Sequence, residues 1–178
     1  MAPASELDRR AFLTAAAGAA ACLLAPRAVR AAAPPPEALP LLEKSRFVYI
    51  SPLLADGRES TCHGEVWFGW LDDAVLINTR RGTWKARALR DRGLDRARIW
   101  VGDHGRWKTG LTGSTRNEAF RDAPHFDARA RFETERSVLD RLLALYEEKY
   151  AGEFGRWREE MRTGFYAGHR LLIRYEPV

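Results

Sequence analysis

Cysteine is nearly absent from this 178-residue chain, which contains only Cys22 and Cys62. Cys22 belongs to an N-terminal segment that we expect to be removed, so the remaining domain keeps one thiol and can form no intrachain disulfide. A single thiol is more often a small buried side chain than a catalyst. The four histidines also lack the four-residue helical spacing of a metal site. We therefore predict neither a disulfide framework nor a metal centre.

Other catalytic arrangements are missing as well. No nucleophile–base–acid constellation and no helical pair of carboxylates stands out in the sequence. The excess of positive over negative charge is also small. The formal net charge of +5 falls to +3 without the first 33 residues, because these hold four arginines and two acids. Such weak, interspersed charge predicts no nucleic-acid partner.

Residues 1–33 have the pattern of a targeting segment rather than of a folded element. Arg9 and Arg10 precede an Ala-rich apolar stretch over residues 11–25, which is too short to span a bilayer comfortably. The pattern resembles a bacterial twin-arginine (Tat) signal. It implies the Tat export machinery as a partner, a periplasmic or otherwise exported location, and no stable membrane anchor. Because Tat export carries folded proteins, many of them with a cofactor already inserted, a bound cofactor is also expected.

The domain boundaries follow from this segment. Cleavage is expected near Ala31, residues 34–43 are predicted as a linker rich in proline, and residues 44–178 as one domain. Two alternatives stay open for the N-terminus: a chance arginine pair before an ordinary Sec signal or a disordered tail, and a lipoprotein cysteine at Cys22.

The domain itself has the pattern of a mainly β fold, because short apolar runs alternate with turn residues. Asp56-Gly57 is a strong hairpin signal, and Leu71-Asp72-Asp73 marks a turn between "STCHGEVWFGW" and "AVLINT". Further strands are predicted for "RFVYIS", "ARIWVG", "HFDARARFE" and "HRLLIRYEP". Residues 108–124, rich in Gly, Thr and Ser, are predicted as a mobile loop and as the region that sets substrate selectivity.

Helices are fewer. One short helix is predicted from Trp84 to about Arg92, with Thr83 as its cap and Gly93 as its end. From about residue 134 to residue 150, apolar residues recur at steps of three and four, which predicts a C-terminal helix. A further helical turn is predicted around residues 156–162.

The stretch Asn78–Arg92 concentrates positive charge, with six basic residues and one acid. A strand that ends at Thr79 and a helix that begins after Thr83 direct unpaired backbone N–H groups to one point, where the helix dipole also favours an anion. Lys85 and the neighbouring arginines can add charged donors, so the geometry suits a phosphate. A solvated basic helix face explains the same spacing, because the cations fall on several stripes of the helix.

The order of these features from Lys44 to Asp103 resembles the first half of the FMN-binding split-barrel proteins, the pyridoxamine 5′-phosphate oxidase-like superfamily. The Asp56-Gly57 hairpin, the "EVWFGW" strand answered by "AVLINT", and a strand-end Thr followed by Thr83-Trp84-Lys85 carry the resemblance. It implies a six-stranded antiparallel split β-barrel with short helices and a C-terminal helix. Such proteins are usually homodimers that bind flavin between the subunits.

The resemblance also implies a cofactor site. Thr83 and Lys85 hold the phosphate with help from Arg80 or Arg87. The whole predicted set is Val66, Trp67, Phe68, Asn78, Thr79, Arg80, Thr83, Trp84, Lys85 and Arg87. The segment "WFGWLDDAVLIN" offers no counterpart to the extra arginine of the true oxidases, and their pyridoxal-phosphate-binding residues are not recognisable. Pyridoxamine phosphate oxidation is therefore not predicted.

Taken together, the residues predict an exported FMN-binding oxidoreductase that acts on an unidentified small organic substrate. The deazaflavin F420 is an alternative cofactor, because it also presents a phosphate and a flat ring. Haem is a further alternative, with His63, His104, His125 and His169 as axial candidates by residue type alone. A cofactor-free barrel that binds a small ligand or another envelope protein is the alternative from a different functional class.

Overall fold

The structure is a computed structural model that describes residues 32–109, 113 and 115–178. These residues belong to the unit that extends from Ala31 to Val178. The predicted Tat signal lies outside the described residues, apart from its last two positions. Within the described ranges, no helix combines the length and the apolar character that crossing a membrane requires.

Strands account for most of the regular structure. They are β1 (Val48–Pro52), β2 (Glu65–Val66), β3 (Gly69–Leu71), β4 (Ala74–Arg80), β5 (Arg96–Val101), β6 (Lys108–Thr109), β7 (Thr115–Arg116), β8 (His125–Glu133) and β9 (Arg170–Pro177). The helices are α1 (Leu39–Lys44), α2 (Trp84–Arg92), α3 (Arg136–Lys149) and α4 (Gly155–Tyr166), with a 3₁₀ turn at Ala119–Asp122.

Seven strands form one antiparallel sheet in the order β2-β1-β5-β8-β9-β4-β3, and β6 pairs with β7 in a second, two-stranded sheet. The strands β2 and β3 stand at opposite ends of this order, yet only Trp67 and Phe68 separate them in the chain. The mainly antiparallel β class is confirmed. The main sheet has seven strands rather than the six implied by the resemblance, because Trp67 and Phe68 divide the single predicted strand "STCHGEVWFGW" into two short ones.

Strand β4 is buried on both faces, which explains its continuous apolar run. Val75 and Ile77 point into a core formed between the strands, together with Ile50, Ile99 and other residues of the sheet. The alternate residues Ala74 and Leu76 face a second core that helices α3 and α4 supply. Because side chains alternate along a strand, the next two residues, Asn78 and Thr79, continue these two faces to the strand end.

Helix α2 has the bounds that the sequence predicts. It ends at Gly93, which adopts the left-handed conformation with φ of 63°, a conformation that glycine adopts without steric cost. At its other end, the Thr83 side chain makes no capping hydrogen bond to the helix. The long C-terminal helix is confirmed as α3, whose buried residues are Leu139, Leu142, Leu143 and Tyr146.

Three segments differ from the sequence-based expectation. The predicted linker contains α1, whose Leu42 is fully buried. The predicted helical turn around residues 156–162 is the longer helix α4. The predicted loop over residues 108–124 contains the β6–β7 hairpin and the 3₁₀ turn, whose Phe120 is buried against Tyr49 and Trp100. Tertiary burial of single apolar residues, such as Leu42 and Phe120, leaves no periodic signal in the sequence.

Candidate functional site

A groove of about 380 Å³ opens where β4 ends, between the turn that leads to α2 and the side of α4. Its volume lies within the range of pockets that bind small molecules and cofactors. Eight residues line this groove, which we name the cofactor groove after the predicted cofactor-binding residues in it: Trp67, Asn78, Thr79, Arg80, Thr83, Trp157, Met161 and Arg170. Five of them belong to the predicted cofactor-binding set, so the fold brings half of that set together.

Asn78, which lines the groove, has a buried hydrogen-bond donor that is not used. Its side chain is only 8 % exposed, and its Oδ1 accepts a hydrogen bond of 2.5 Å from Nε of Arg170. Its Nδ2 is buried and has no partner among the described residues. A buried amide donor without a partner costs free energy, which a bound acceptor would recover.

The turn between β4 and α2 forms the second part of the groove. The hydroxyl oxygens of Thr79 and Thr83 lie 3.0 Å apart, and the Thr83 hydroxyl donates to the Arg80 carbonyl oxygen. The Thr83 side chain accepts no hydrogen bond from the first backbone N–H groups of α2, and no acidic residue lies in the first turn of this helix. This helix terminus therefore favours an anion through both its free donors and its dipole.

Two indole rings and a thioether make the rest of the groove apolar. Trp67 stacks on Tyr150 at a centroid distance of 4.5 Å and an interplanar angle of 12°, which fixes its ring. Trp157 and Met161 project from α4. Flat apolar walls next to convergent donors suit a ligand with an aromatic ring and a polar end.

The charged groups at the groove form a network centred on Glu160. Its carboxylate accepts from Nη2 of Arg80 at 3.2 Å and from Nη1 of Arg170 at 3.0 Å. Arg170 is buried, and this burial lowers its guanidinium pKa from the ordinary value. One carboxylate thus faces two guanidinium groups, which leaves a net positive charge at this edge of the groove.

Lys85 lies elsewhere. Its Nζ would be 3.3 Å from a Cβ atom built on Gly64, so the ammonium points toward the segment before β2 and not into the groove. Burial lowers the pKa of Lys85, opposed by the nearby Glu65. Its backbone N–H belongs to the free terminus of α2, whereas its side chain as placed does not reach the groove.

The other predicted residues also fall outside the lining. Val66 packs against the core between the strands, and Phe68 is fully buried there beneath Nζ of Lys149 at 3.5 Å. Trp84 lies under the guanidinium of Arg92, at 4.5 Å, and Arg87 is exposed on α2. The basic stretch Asn78–Arg92 is therefore divided. Arg80 reaches the groove, whereas most of the other basic residues of the stretch form a solvated helix face.

Sequence reasoning missed Trp157, Met161 and Arg170, which complete the groove, and Glu160, which pairs with its arginines. All four come from the C-terminal part of the chain, far from the basic stretch. One feature of the sequence could have indicated Arg170: the apolar strand "HRLLIRYEP" contains two arginines. Arg170 and Arg174 are four residues apart and therefore lie on one face of β9.

The histidines do not converge. His63 lies edge-on to Trp107 in an aromatic cluster, whereas His169 lies near the end of β4, beside Arg81. Across the described ranges, no three His, Cys, Asp or Glu side chains are grouped so that they could hold a metal ion. None of the described residues of the loop 108–124 lines the cofactor groove.

Comparison with known proteins gives similarity at the level of the fold. No protein-family model and no curated protein sequence matches the chain. Among solved structures, HutZ, the heme storage protein from Vibrio cholerae, matches with a TM-score of 0.50 and 16% identity over 83% of this chain and 92% of its own. The chain shares the fold of the split-barrel proteins.

Two other solved structures are similar at a lower level. A conserved hypothetical protein from Mycobacterium tuberculosis has a TM-score of 0.49 and 18% identity over 76% of this chain and 74% of its own. An F420 reductase has a TM-score of 0.46 and 16% identity over 82% of this chain and 95% of its own. Identities this low concern the fold alone, so the ligand must be argued from the groove.

Proposed function

We propose that this split-barrel protein binds FMN in the cofactor groove and acts as an FMN-dependent oxidoreductase on a small organic substrate. The composition of one groove carries the proposal: it is lined by Thr83, the N-cap residue of α2 that makes no capping hydrogen bond, by Asn78, whose buried amide donor has no partner among the described residues, and by two indole rings. A solvated helix face explains none of these features, because it needs neither an unused buried donor nor aromatic walls.

The donors and the rings match the two ends of the proposed ligand. The free N–H groups at the start of α2, with the Thr83 hydroxyl and the Arg80 guanidinium, suit a phosphate. Trp67 and Trp157 suit a flat ring, and Asn78 Nδ2 supports an acceptor atom of the ligand. These residues therefore fit a phosphate-bearing flavin.

Bound FMN would supply the hydride or electron transfer that the protein side chains cannot perform. The contribution of this chain is to bind and orient. Trp67, fixed by its stack on Tyr150, limits the tilt of a ring placed against it. The apolar side chains of Trp157 and Met161 exclude water from that end of the groove.

The proposal extends to export and assembly. We propose export through the Tat machinery on the pattern of residues 1–33, and a homodimer because the resemblance implies flavin bound between subunits. F420 would use the same groove, since it presents the same two chemical features. The cofactor test therefore includes both ligands.

The test is to express the full chain in the cytoplasm, purify it, and record its visible absorption with mass spectrometry of any ligand released by heat. FMN and F420 are then titrated into ligand-free protein. In a Thr83→Glu variant, a carboxylate replaces the hydroxyl that faces the groove, and we expect FMN affinity to fall by about tenfold or more through charge repulsion.

Arg81→Gln is the matched control. It makes the same change of one charge unit two residues away, at an exposed position outside the groove lining. We expect it to retain FMN. A folded, colourless protein that takes up neither FMN nor F420 would refute the proposal and favour a cofactor-free binding module. Equal weakening in both variants would place the phosphate on the helix face instead.

A further inference from the structure

A second cavity of about 360 Å³ adjoins the cofactor groove. It is formed by the end of α4 and the start of β9, and its lining residues are Arg80, Glu160, Thr163, Gly164, Ala167, His169 and Arg170. Arg80 and Arg170 line both spaces, so a molecule in the second cavity would lie next to a ligand in the groove. None of the other five residues is part of the predicted cofactor set.

Arg170 is held rigidly with donors to spare. Its guanidinium has five N–H groups, of which three donate hydrogen bonds, to Asn78 Oδ1, to the Asn78 carbonyl oxygen and to Glu160. The other two have no partner among the described residues. The side chain is 10% exposed, and a Cβ atom at Gly164 would lie 2.8 Å from its Cγ and Cδ, so this placement of the Arg170 side chain requires glycine at that position of α4.

The second cavity is also positively charged. Arg80 and Arg170 share the single carboxylate of Glu160, whose side chain is 41% exposed and therefore able to turn toward water. His169 adds a further polar ring at the rim. An oxyanion in the cavity could accept hydrogen bonds from the two unused N–H groups of Arg170. It could also replace Glu160 as the acceptor of the bonds that the arginines now donate to this carboxylate.

We propose that the second cavity is the substrate subsite and that it takes a small organic anion, bound by its carboxylate or phosphate to Arg170, whereas Arg80 serves the phosphate of the proposed cofactor. Glu160 acts as the internal counter-ion that neutralises the two arginines until the anion arrives. The assignment of this anion as substrate rests on the proposed function, because it places the anion beside the flavin. The anion-binding property itself does not.

The experiment titrates benzoate and, separately, inorganic phosphate into the full chain saturated with FMN, and also into ligand-free protein, by calorimetry. Ala167→Glu is the main variant, because it introduces a carboxylate at an exposed position of the cavity lining without disturbing a buried contact. Ala144→Glu, on the exposed face of α3, is the matched control. Circular dichroism verifies that each variant is folded.

Saturable anion binding is expected in the unmodified protein and in Ala144→Glu, with about tenfold weaker binding in Ala167→Glu. In Glu160→Gln we expect binding that is tighter by about fivefold, because the arginines lose their competing acceptor. Binding of benzoate alone identifies a carboxylate, and binding of phosphate alone identifies a phosphate. No binding in both the unmodified protein and Glu160→Gln, or no loss in Ala167→Glu, would overturn the proposal.

FMN binding in the groove and anion binding in the second cavity can be refuted independently of each other. Anion binding with this pattern in a protein that takes up no FMN would refute the flavin and leave an anion site. FMN uptake without anion binding would leave the cofactor groove and remove the subsite.

Discussion

Arg170 and Arg174 lie four residues apart on one face of β9, both nearly excluded from solvent, yet they differ in what surrounds them. Arg174 donates from Nε to Glu133 at 3.0 Å, and both side chains of this pair are less than 10% exposed. Arg170 pairs instead with Asn78 and with the more exposed Glu160, and it lines two cavities.

The partner of each arginine explains the difference. Glu133 also accepts hydrogen bonds from the backbone N–H groups of Thr134 and Glu135. Burial raises the pKa of the Glu133 carboxyl, but these two bonds and the bond from Arg174 outweigh it, so the pKa is lowered. Its oxygens are thus satisfied within the protein. Asn78 keeps a buried donor without a partner. The two buried arginines therefore differ in their neighbours: the partner of Arg174 is fully paired, whereas Asn78, beside Arg170, is not.

The largest effect is expected from Arg174→Leu. Removing this guanidinium takes the nearer charge partner from the buried Glu133 carboxylate and leaves only the more exposed Arg131, at 3.6 Å, which should lower the free energy of unfolding by about 3 kcal/mol. Urea unfolding measures the loss. The double variant Glu133→Leu/Arg174→Leu should recover a large part of it, because no uncompensated charge remains. If the single variant loses less than Arg170→Leu does, the proposed contrast between the two arginines is wrong.

Arg170→Leu should cost less stability, about 1–2 kcal/mol, because Glu160 can turn to water when its partner is lost. The same variant should bind benzoate at least about tenfold more weakly, as a site arginine would. Parallel urea and calorimetric measurements on the Arg170 and Arg174 variants separate the two roles. A folded Arg170→Leu protein with unchanged anion affinity would make Arg170 as structural as Arg174.

A smaller change tests the unpaired donor. Asn78→Asp should keep the bond to Arg170 Nε but replace the free Nδ2 by a negative oxygen in the groove. We expect stability within about 1 kcal/mol of the original and FMN affinity lower by about tenfold. Asn78→Ala removes the donor without adding charge, so comparison of the two in FMN titrations separates lost bonding from repulsion. Unchanged affinity in both variants would exclude Asn78 from the site.

The smallest effect concerns pH and the largely buried ammonium of Lys149. Burial lowers the pKa of Lys149 from 10.5 to about 8. Between these values the folded chain holds fewer protons than the unfolded chain, so the contribution of Lys149 to stability rises with pH over that window. Thermal unfolding at pH 7.5 and 9.5 should show this rise, and Lys149→Met should reduce it. An equal pH slope in Lys149→Met would show that other groups cause it.

The sequence predicted the strands and helices well where a pattern repeats. The alternation in "HFDARARFE" corresponds to β8, and Thr83 and Gly93 mark the two ends of α2. It predicted five of the eight groove residues, all from the adjoining segments 67–83. Trp157, Met161 and Arg170 could not be predicted, because their proximity to β4 depends on how α4 and β9 pack.

The basic stretch shows the same division. Its composition pointed to a phosphate, but composition does not say which cation faces a cavity. Arg80 faces the groove, whereas Lys85 points toward Gly64 and Arg87 faces solvent. Helical rotation separates residues that are near one another in the chain, so only the packed structure selects among them.

What the sequence by itself determined is local: the mainly β class, the bounds of α2 and the apolar face of α3. These features depend on periodicity and on backbone preferences of a few neighbouring residues. The tertiary structure alone decided that β9 pairs with β4, which sets Arg170 beside Asn78 and joins two cavities at one guanidinium. Such pairing links residues 92 positions apart, and no local preference encodes it.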